Sequence, residues 1–232
     1  MNNWLYFEYF IDNESKTYTY IISDTASKET CIIDPVLENV DKYVNQIKHI
    51  WWNLKYILDT HVHADHITGS SALKKRLWWI IGLWEKNQVL WADIFLKDNE
   101  KLRLWETDIL TLSTPGHTKG CVSYIIDDMI FTWDLLFING TGRTDFQWGS
   151  NEEMYSNITQ RIFQFPGDYK IFQWHDYNGN LSSTVQKEKC NNQRIWNNKS
   201  IEEFSQIMDS LNLPYPKKID IALPRNLKCG RE

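Results

Sequence analysis

Residues 61–66 read His-Val-His-Ala-Asp-His, so three histidines and one aspartate fall within six consecutive positions. Imidazole and carboxylate groups together form the ligand sets that proteins use for zinc, iron and manganese. The whole chain of 232 residues has six histidines, and half of them lie in this segment. Histidines that merely fill a core would be scattered, because crowding rings that can be protonated adds no stability. The segment therefore predicts a metal-binding loop.

The elements around this loop indicate how it is positioned. Residues 54–60 are apolar and β-branched, which predicts a strand that ends where the histidines begin. Three more residues of ligand type, His117, Asp134 and His175, also follow apolar runs. Loops at strand ends commonly carry functional sites. These side chains can converge only if the strand ends meet at one edge of the sheets, which the sequence alone does not show.

These segments together resemble the metallo-β-lactamase superfamily, whose signature is His-x-His-x-Asp-His. Residues 114–118, Thr-Pro-Gly-His-Thr, resemble the superfamily's next metal histidine. Residues 131–134 resemble the strand that carries its bridging aspartate, and residues 174–177 resemble its last histidine segment. The resemblance covers nearly the whole chain.

Two segments narrow the resemblance to the persulfide dioxygenase branch of that superfamily. They are residues 142–147, Gly-Arg-Thr-Asp-Phe-Gln, and the tail that runs from residue 213 to residue 230. The resemblance implies a four-layer αββα sandwich. At 232 residues the chain is expected to form a single domain, residues 1–232, and the Pro-rich tail of residues 213–232 is expected to wrap its surface.

The branch resemblance also implies an activity, the oxidation of glutathione persulfide by O2 to sulfite and glutathione. It implies one Fe(II) per chain, bound by the catalytic residues His61, His117 and Asp134. Two imidazoles and one carboxylate form the facial triad of non-heme Fe(II) oxygenases, which leaves positions open for O2 and substrate. The other residues of ligand type would surround this iron site and orient its ligands through hydrogen bonds. They are His63, Asp65, His66 and His175.

Arg143 and Tyr177 are the candidate substrate-binding residues. The guanidinium of Arg143 offers a planar fork of donors that suits a carboxylate, and glutathione carries two carboxylates. Arg143 could instead pair with Asp145 as a brace within its loop, and both roles are compatible. Tyr177 could donate its hydroxyl to the substrate or close the loop that follows His175.

A dinuclear zinc thioester hydrolase of the glyoxalase II type (hydroxyacylglutathione hydrolase) is the first alternative, with a metal-bound hydroxide as its nucleophile. In such enzymes His61, His63 and His117 would hold one of two zinc ions. Asp65, His66 and His175 would hold the second, and Asp134 would bridge them. All seven positions are filled, so the motif alone does not exclude this reaction. Residues 142–147 and the short C-terminal part favour the dioxygenase.

The tryptophans suggest a further alternative, because the chain has 12 tryptophans and only 10 glycines. The family has glycine where this chain has tryptophan at several positions. They are Trp105, Trp133, Trp148 and Trp174, and by extension Trp52, Trp84 and Trp91. One explanation is a non-catalytic descendant that binds a metal or glutathione without turnover. The other explanation is that UGA codons encode these residues. UGA is read as tryptophan in some genetic codes and as glycine in others, so the natural protein would carry glycine. A protein made with tryptophan should then fold poorly or lack activity.

Composition excludes several classes of protein. The net charge is −5 and the isoelectric point is near 5.7, so no basic surface for nucleic acid is expected. No apolar run approaches the ~20 residues of a membrane span. The four cysteines are widely separated and the first residues do not resemble a signal or transit peptide, which favours a cytoplasmic protein with reduced thiols. The sequence leaves the oligomeric state open, with a homodimer as one option.

Periodicity predicts the remaining elements. The spacing of apolar residues predicts helices at 38–50, 70–77, 151–164 and 201–211. Strands are predicted at 4–10, 17–23, 30–33, 79–83, 94–96, 102–104, 109–113, 122–126, 129–132 and 170–173.

Overall fold

The computed structural model describes residues 4–50, 52–77, 79–87, 89–173, 181–196 and 199–232. Within this part of the chain, twelve strands form two six-stranded sheets. The first sheet contains β1 (Leu5–Ile11), β2 (Tyr18–Asp24), β3 (Glu29–Ile33), β4 (Asn53–Leu58), β5 (Ile80–Trp84) and β6 (Ile94–Leu96), side by side in chain order. Strands β1 to β3 pair antiparallel, whereas β3 to β6 pair parallel.

The second sheet is largely antiparallel. It contains β7 (Lys101–Leu104), β8 (Thr107–Ser113), β9 (Val122–Ile126), β10 (Met129–Phe131), β11 (Lys170–Phe172) and β12 (Ser182–Thr184), in that spatial order. Only the β10–β11 pair among these is parallel. Every residue of β2, β9 and β10 is buried, which explains why these strands read as continuous apolar and aromatic runs.

Helices cover the outer face of each sheet. Two of them, α1 (Val40–His49) and α2 (Ser70–Leu77), pack on the first sheet. Three others, α3 (Asn151–Gln160), α4 (Val185–Asn191) and α5 (Ile201–Asp209), pack on the second. A third apolar cluster lies between the sheets and is rich in aromatic residues. The arrangement is the predicted four-layer αββα sandwich.

The predicted helices and strands are confirmed within one to four residues at their ends. The apolar face predicted for α1, which includes Tyr43 and Ile47, is buried against the first sheet. Ser150 caps α3, because its hydroxyl accepts the backbone N–H of Glu153. The 151–164 segment is not one helix, since α3 ends at Gln160 and a short 3-10 helix covers Ile162–Gln164.

Three elements were missing from the prediction. Strand β12 is three polar residues long and α4 directly follows it, so neither gives a strong periodic signal. The third is α6 (Ile219–Asn226), which contains Pro224 and lies in the segment expected to be a surface tail. Its last residue, Asn226, is buried, and Leu223 packs against the cluster beneath the first sheet.

Candidate metal centre

Three strand ends bring the metal centre together. His61 follows β4 in the first sheet, whereas His117 and Asp134 follow β8 and β10 in the second. Nε2 of His117 lies 3.1 Å from Oδ2 of Asp134, and Nε2 of His61 lies 3.8 Å from the same oxygen. One ligand atom from each residue lies within 4.8 Å of the other two. The strand ends therefore meet at one edge, as the site requires.

Hydrogen bonds orient both rings toward that point. Nδ1 of His117 lies 2.7 Å from the carbonyl oxygen of Arg143, so it must carry the proton and donate. The hydroxyl of Thr60 donates to Asp34 at 2.6 Å, and it therefore accepts from Nδ1 of His61 at 3.1 Å. Each ring is thereby held with its Nε2 toward Asp134. This is how metal-binding histidines are fixed in their tautomer.

The electrostatics of the centre fit a divalent cation. The side chain of His61 is only 2% exposed, and burial lowers its pKa well below the ordinary value. The neighbouring rings of His63 and His117 lower it further. His61 is therefore a neutral imidazole at physiological pH, as a metal ligand must be. Two imidazoles and one carboxylate in mutual reach form a donor set that fits iron or zinc.

The second half of the histidine loop is arranged differently. Nε2 of His63 lies 2.9 Å from Oδ1 of Asp34, and Nδ1 of His66 lies 3.3 Å from Oδ1 of Asp65. The other oxygen of Asp65 accepts the hydroxyl of Thr17 at 3.2 Å. Burial alone would lower the pKa of His66, but the carboxylates of Asp65, Asp34 and Asp59 together outweigh it and the pKa is raised. His63, Asp65 and His66 also lie close enough together to hold a metal.

Asp34 is a site residue that the sequence analysis missed. It is fully buried, has a positive φ of 46°, and accepts the backbone N–H of Thr60 at 2.7 Å in addition to the hydroxyl. Burial raises its pKa well above the ordinary range, while the hydrogen bonds from Thr60 act in the opposite direction. The signal available in the sequence was an aspartate before a proline at a strand end, which was taken only as the end of the strand.

Arg143 lies beside the centre but its guanidinium contacts its own loop. Nε and Nη2 bind the two carboxylate oxygens of Asp145 at 2.6 and 2.7 Å, and Nη1 donates to the carbonyl of Pro214 at 2.8 Å. The guanidinium also stacks over the ring of Phe146, 4.4 Å from its centroid. The loop brace is therefore present. The candidates His175 and Tyr177 lie outside the described residues.

Space for a ligand follows the 143–149 loop. Two cavities, of about 500 Å³ and 460 Å³, share Thr144, Asp145 and Gly149 as lining residues. Arg143 lines the larger one. Because the carbonyl of Arg143 also holds the ring of His117, the wall of this cavity and the metal centre are linked through one residue.

An αββα sandwich with a metal centre at its strand ends is the architecture expected of the metallo-β-lactamase superfamily. Comparison with known families gives the same class. Residues 13–168 match the model of the metallo-beta-lactamase superfamily. The chain belongs to that superfamily and, within it, to the persulfide dioxygenase branch.

Individual relatives support the narrower placement. The chain is 41% identical over 219 residues to the mitochondrial persulfide dioxygenase ETHE1 of Mus musculus, covering 94% of this chain and 85% of the mouse protein. It is 42% identical over 218 residues to the Homo sapiens protein of the same name, covering 93% and 85%. The crystal structure of ETHE1 from Myxococcus xanthus superposes with a TM-score of 0.94 at 40% identity, covering 97% of this chain and all of that one (100%).

Among the described residues, no helix has both the length and the apolar character needed to cross a membrane.

Proposed function

We propose that this protein is an iron-dependent persulfide dioxygenase that oxidises glutathione persulfide with O2 to sulfite and glutathione. The observation that carries the proposal is the convergence of His61, His117 and Asp134 in a chain so similar to persulfide dioxygenases. The balanced reaction converts GSSH, O2 and H2O into GSH, sulfite and two protons. Fe(II) held by these three residues would supply the redox chemistry between O2 and the persulfide sulfur.

The protein's own residues would hold and orient the reactants. Thr60 and the carbonyl of Arg143 keep Nε2 of His61 and His117 available for the metal. His63, Asp65 and His66 would set the loop geometry around the iron, because their side chains contact other protein groups. We assign His175 to the same role. No general base is required at the sulfur, because a persulfide is largely ionised at neutral pH.

We propose Arg143 and Tyr177 as contacts for glutathione. Arg143 lines the larger cavity, so a substrate carboxylate bound there would share the guanidinium with Asp145. Asp145 is exposed, and the bond to Arg143 lowers its pKa, so it is ionised when the substrate arrives. A substrate carboxylate at Arg143 would therefore either displace Asp145 from the guanidinium or bind beside it.

A dinuclear zinc thioester hydrolase is the alternative function, and one observation favours it. His63, Asp65 and His66 lie close enough to hold a second metal. Against it, the chain is 41% identical to a persulfide dioxygenase over 94% of its length. A non-catalytic protein that binds metal or glutathione is the third candidate. The three principal ligands are all in place, and loss of catalysis would not favour keeping them.

We also propose a cytoplasmic location and a single domain over residues 1–232, with a homodimer as one possible assembly. All four cysteines are free thiols, as expected in a reducing compartment. The mouse and human relatives are named as mitochondrial proteins.

Oxygen uptake tests the proposal directly. Protein loaded anaerobically with Fe(II) is mixed with glutathione persulfide, and O2 consumption and sulfite are measured together. The proposal predicts one O2 consumed for each sulfite formed, and neither from Asp134→Ala protein. Rapid hydrolysis of a glutathione thioester by zinc-loaded protein, without O2 uptake by the iron-loaded form, would instead identify the hydrolase.

A further inference from the structure

The end of α6 contacts the histidine loop from the opposite end of the chain. Asn226 is 4% exposed, and its side-chain amide donates to the carbonyl oxygens of His63 at 2.9 Å and His66 at 2.8 Å. Its side-chain oxygen accepts the backbone N–H of Thr68 at 2.9 Å. One side chain thus binds the loop backbone at three points between residues 63 and 68.

The residues after Asn226 hold it in register against the loop. The carbonyl of Cys229 accepts the backbone N–H of Ser71 at 3.1 Å. Gly230 has a φ of 82°, and a Cβ there would lie 2.0 Å from the carbonyl oxygen of Thr68. The tail backbone therefore packs directly on the backbone that follows the histidines, which only glycine at position 230 permits.

An asparagine is chemically matched to this position. The loop offers two carbonyl acceptors and one N–H donor, and a primary amide offers two N–H donors and one acceptor oxygen. An aspartate would place a carboxylate against two carbonyls, and an apolar side chain would leave buried backbone groups without these bonds. Asn226 bonds to the backbone of the loop and not to a histidine ring. It therefore fixes the backbone conformation of the loop rather than the orientation of any one imidazole.

We propose that Asn226 is a positioning residue for the metal centre, which fixes the 61–68 loop so that His61 meets His117 and Asp134. This rests on the proposed metal site. A metal site binds tightly only when its ligands are held in place beforehand, and interactions one layer away from the ligands commonly change metal affinity about 10–100-fold.

Metal titration of variants tests the proposal. Asn226→Ala and Asn226→Asp are compared with Lys228→Ala, which changes an exposed side chain two residues along the same tail. Co(II) is the probe, and both its affinity and its visible absorption spectrum are recorded alongside the unfolding temperature of the apoprotein. We expect about a 10–100-fold loss of Co(II) affinity and an altered spectrum for the Asn226 variants, with the Lys228 variant unchanged.

The Asn226→Gln variant and the unfolding temperatures distinguish a positioning role of Asn226 from a purely structural one. Asn226→Gln keeps the amide on a longer stem, so it should fold and recover part of the lost affinity even if the aspartate variant does not fold. Wild-type Co(II) affinity and spectrum in a folded Asn226 variant, with only a lower unfolding temperature, would overturn the proposal. Failure of the proposed function looks different, because wild-type protein would then bind metal without consuming O2.

A second inference rests on the backbone at the tryptophans. Trp91, Trp105, Trp133 and Trp148 have φ angles of 77°, 54°, 48° and 56°. A residue with a Cβ rarely adopts this left-handed region, and a bulky one is an outlier there. Among the described residues, only two glycines have positive φ, so tryptophan holds more of these positions than glycine does.

We infer that these four positions carry glycine in the natural protein. Glycine is the residue that takes positive φ without steric cost, and independent substitutions would not repeatedly produce the same bulky product. A UGA codon read as glycine by the source and as tryptophan in translation gives that uniform result. Of the others suspected from the family pattern, Trp52 is not among the described residues with positive φ, Trp84 lies at the end of strand β5, and Trp174 lies outside the described residues.

Trp133 matters most for the metal centre. It is 1% exposed, its ring lies 5.4 Å from that of Tyr20 between the two sheets, and it directly precedes the ligand Asp134. A bulky residue in a left-handed conformation at this point constrains the backbone of a ligand. Glycine would remove the constraint.

Codons and peptides test the inference. Genomic UGA at codons 133 and 105, with glycine in the corresponding peptides of the source organism, is the expected result. UGG codons there, or tryptophan in those peptides, would overturn it.

Stability provides an independent test in the tryptophan-containing chain. Trp105→Gly is compared with Trp4→Gly, since both side chains are similarly exposed, 58% and 53%, but only Trp105 has positive φ. Relief of left-handed strain should raise the unfolding temperature by about 2–4 °C for Trp105→Gly, and Trp4→Gly should not raise it. Equal changes in both variants would contradict the argument from φ.

Discussion

The histidine loop contains two groups of ligand-type residues that are built differently although they adjoin in sequence. His61 joins His117 and Asp134 from the second sheet, and both rings are oriented by neutral oxygens at Nδ1. His63 and His66 instead contact carboxylates, those of Asp34 and Asp65. In the first group two imidazoles share the carboxylate of Asp134, whereas in the second group each imidazole contacts a different carboxylate.

This difference bears on which of the two groups binds the metal. Two imidazole nitrogens directed at one carboxylate leave an open coordination position for a metal. A histidine that contacts its own carboxylate is oriented by the protein, and it can act on a metal through the shape of the loop. We therefore propose one principal metal centre with a supporting group beside it.

Removing a ligand of the first group should have the largest effect. His61→Ala, His117→Ala and Asp134→Ala are each expected to abolish iron binding and oxygen uptake, because a facial triad with two members does not hold Fe(II). Iron content by elemental analysis and O2 consumption measure this. His49→Ala is the matched control, since His49 is exposed at the end of α1, and it should retain both.

Changes in the second group should be smaller. His63→Ala and Asp34→Asn are expected to weaken iron binding about 10–100-fold while leaving measurable iron at saturation. Iron titration followed by O2 uptake at full loading separates affinity from turnover. Equal and complete loss of metal from both groups would contradict the division between them and favour the dinuclear zinc arrangement.

The residues that the sequence identified and those it missed differ in whether a metal-ligand motif marks them. His61, His117 and Asp134 were predicted because each lies in a segment that resembles such a motif of the superfamily. No metal-ligand motif includes Asp34 or Asn226, and their contacts with the loop, across 29 and 160 residues of chain, form only in the folded protein. Local periodicity records which face of an element is buried, but not which distant side chain meets it.

The same limit explains the C-terminal tail. The prolines of residues 213–232 led to the prediction of a surface tail, whereas tertiary contacts hold Ile219–Asn226 as a helix. Its buried Asn226 provides an energetic reason for that order. The fold class was predictable from motif and pattern together, and the way in which the tail supports the metal loop was not.

Arg143 links the first group to the cavity, and its replacement should have a moderate effect. Arg143→Ala is expected to raise KM for glutathione persulfide about tenfold or more through loss of a charged hydrogen bond. Iron content should hold, because the backbone carbonyl that orients His117 remains. Asp145→Asn disrupts the brace while keeping the guanidinium. An unchanged KM with equal loss of stability in both variants would limit Arg143 to the brace.

The cysteines should have the smallest effect, because neither histidine group includes a thiol. Burial raises the pKa of Cys121 to about 12 and that of Cys229 to about 12, which keeps both thiols protonated. At neutral pH iodoacetamide should label Cys190, which is exposed. Cys190→Ser should retain full oxygen uptake. Inactivation by this substitution would show that a thiol takes part in turnover.

Metal stoichiometry tests the central claim most directly. The protein is purified without added metal from cells supplied with both iron and zinc, and the metal content per chain is measured by elemental analysis for wild type and Asp134→Ala. The account predicts about one iron per chain in the wild type and none in the variant. Two zinc ions per chain in the wild type, with glutathione thioester hydrolysis and no oxygen uptake, would contradict it.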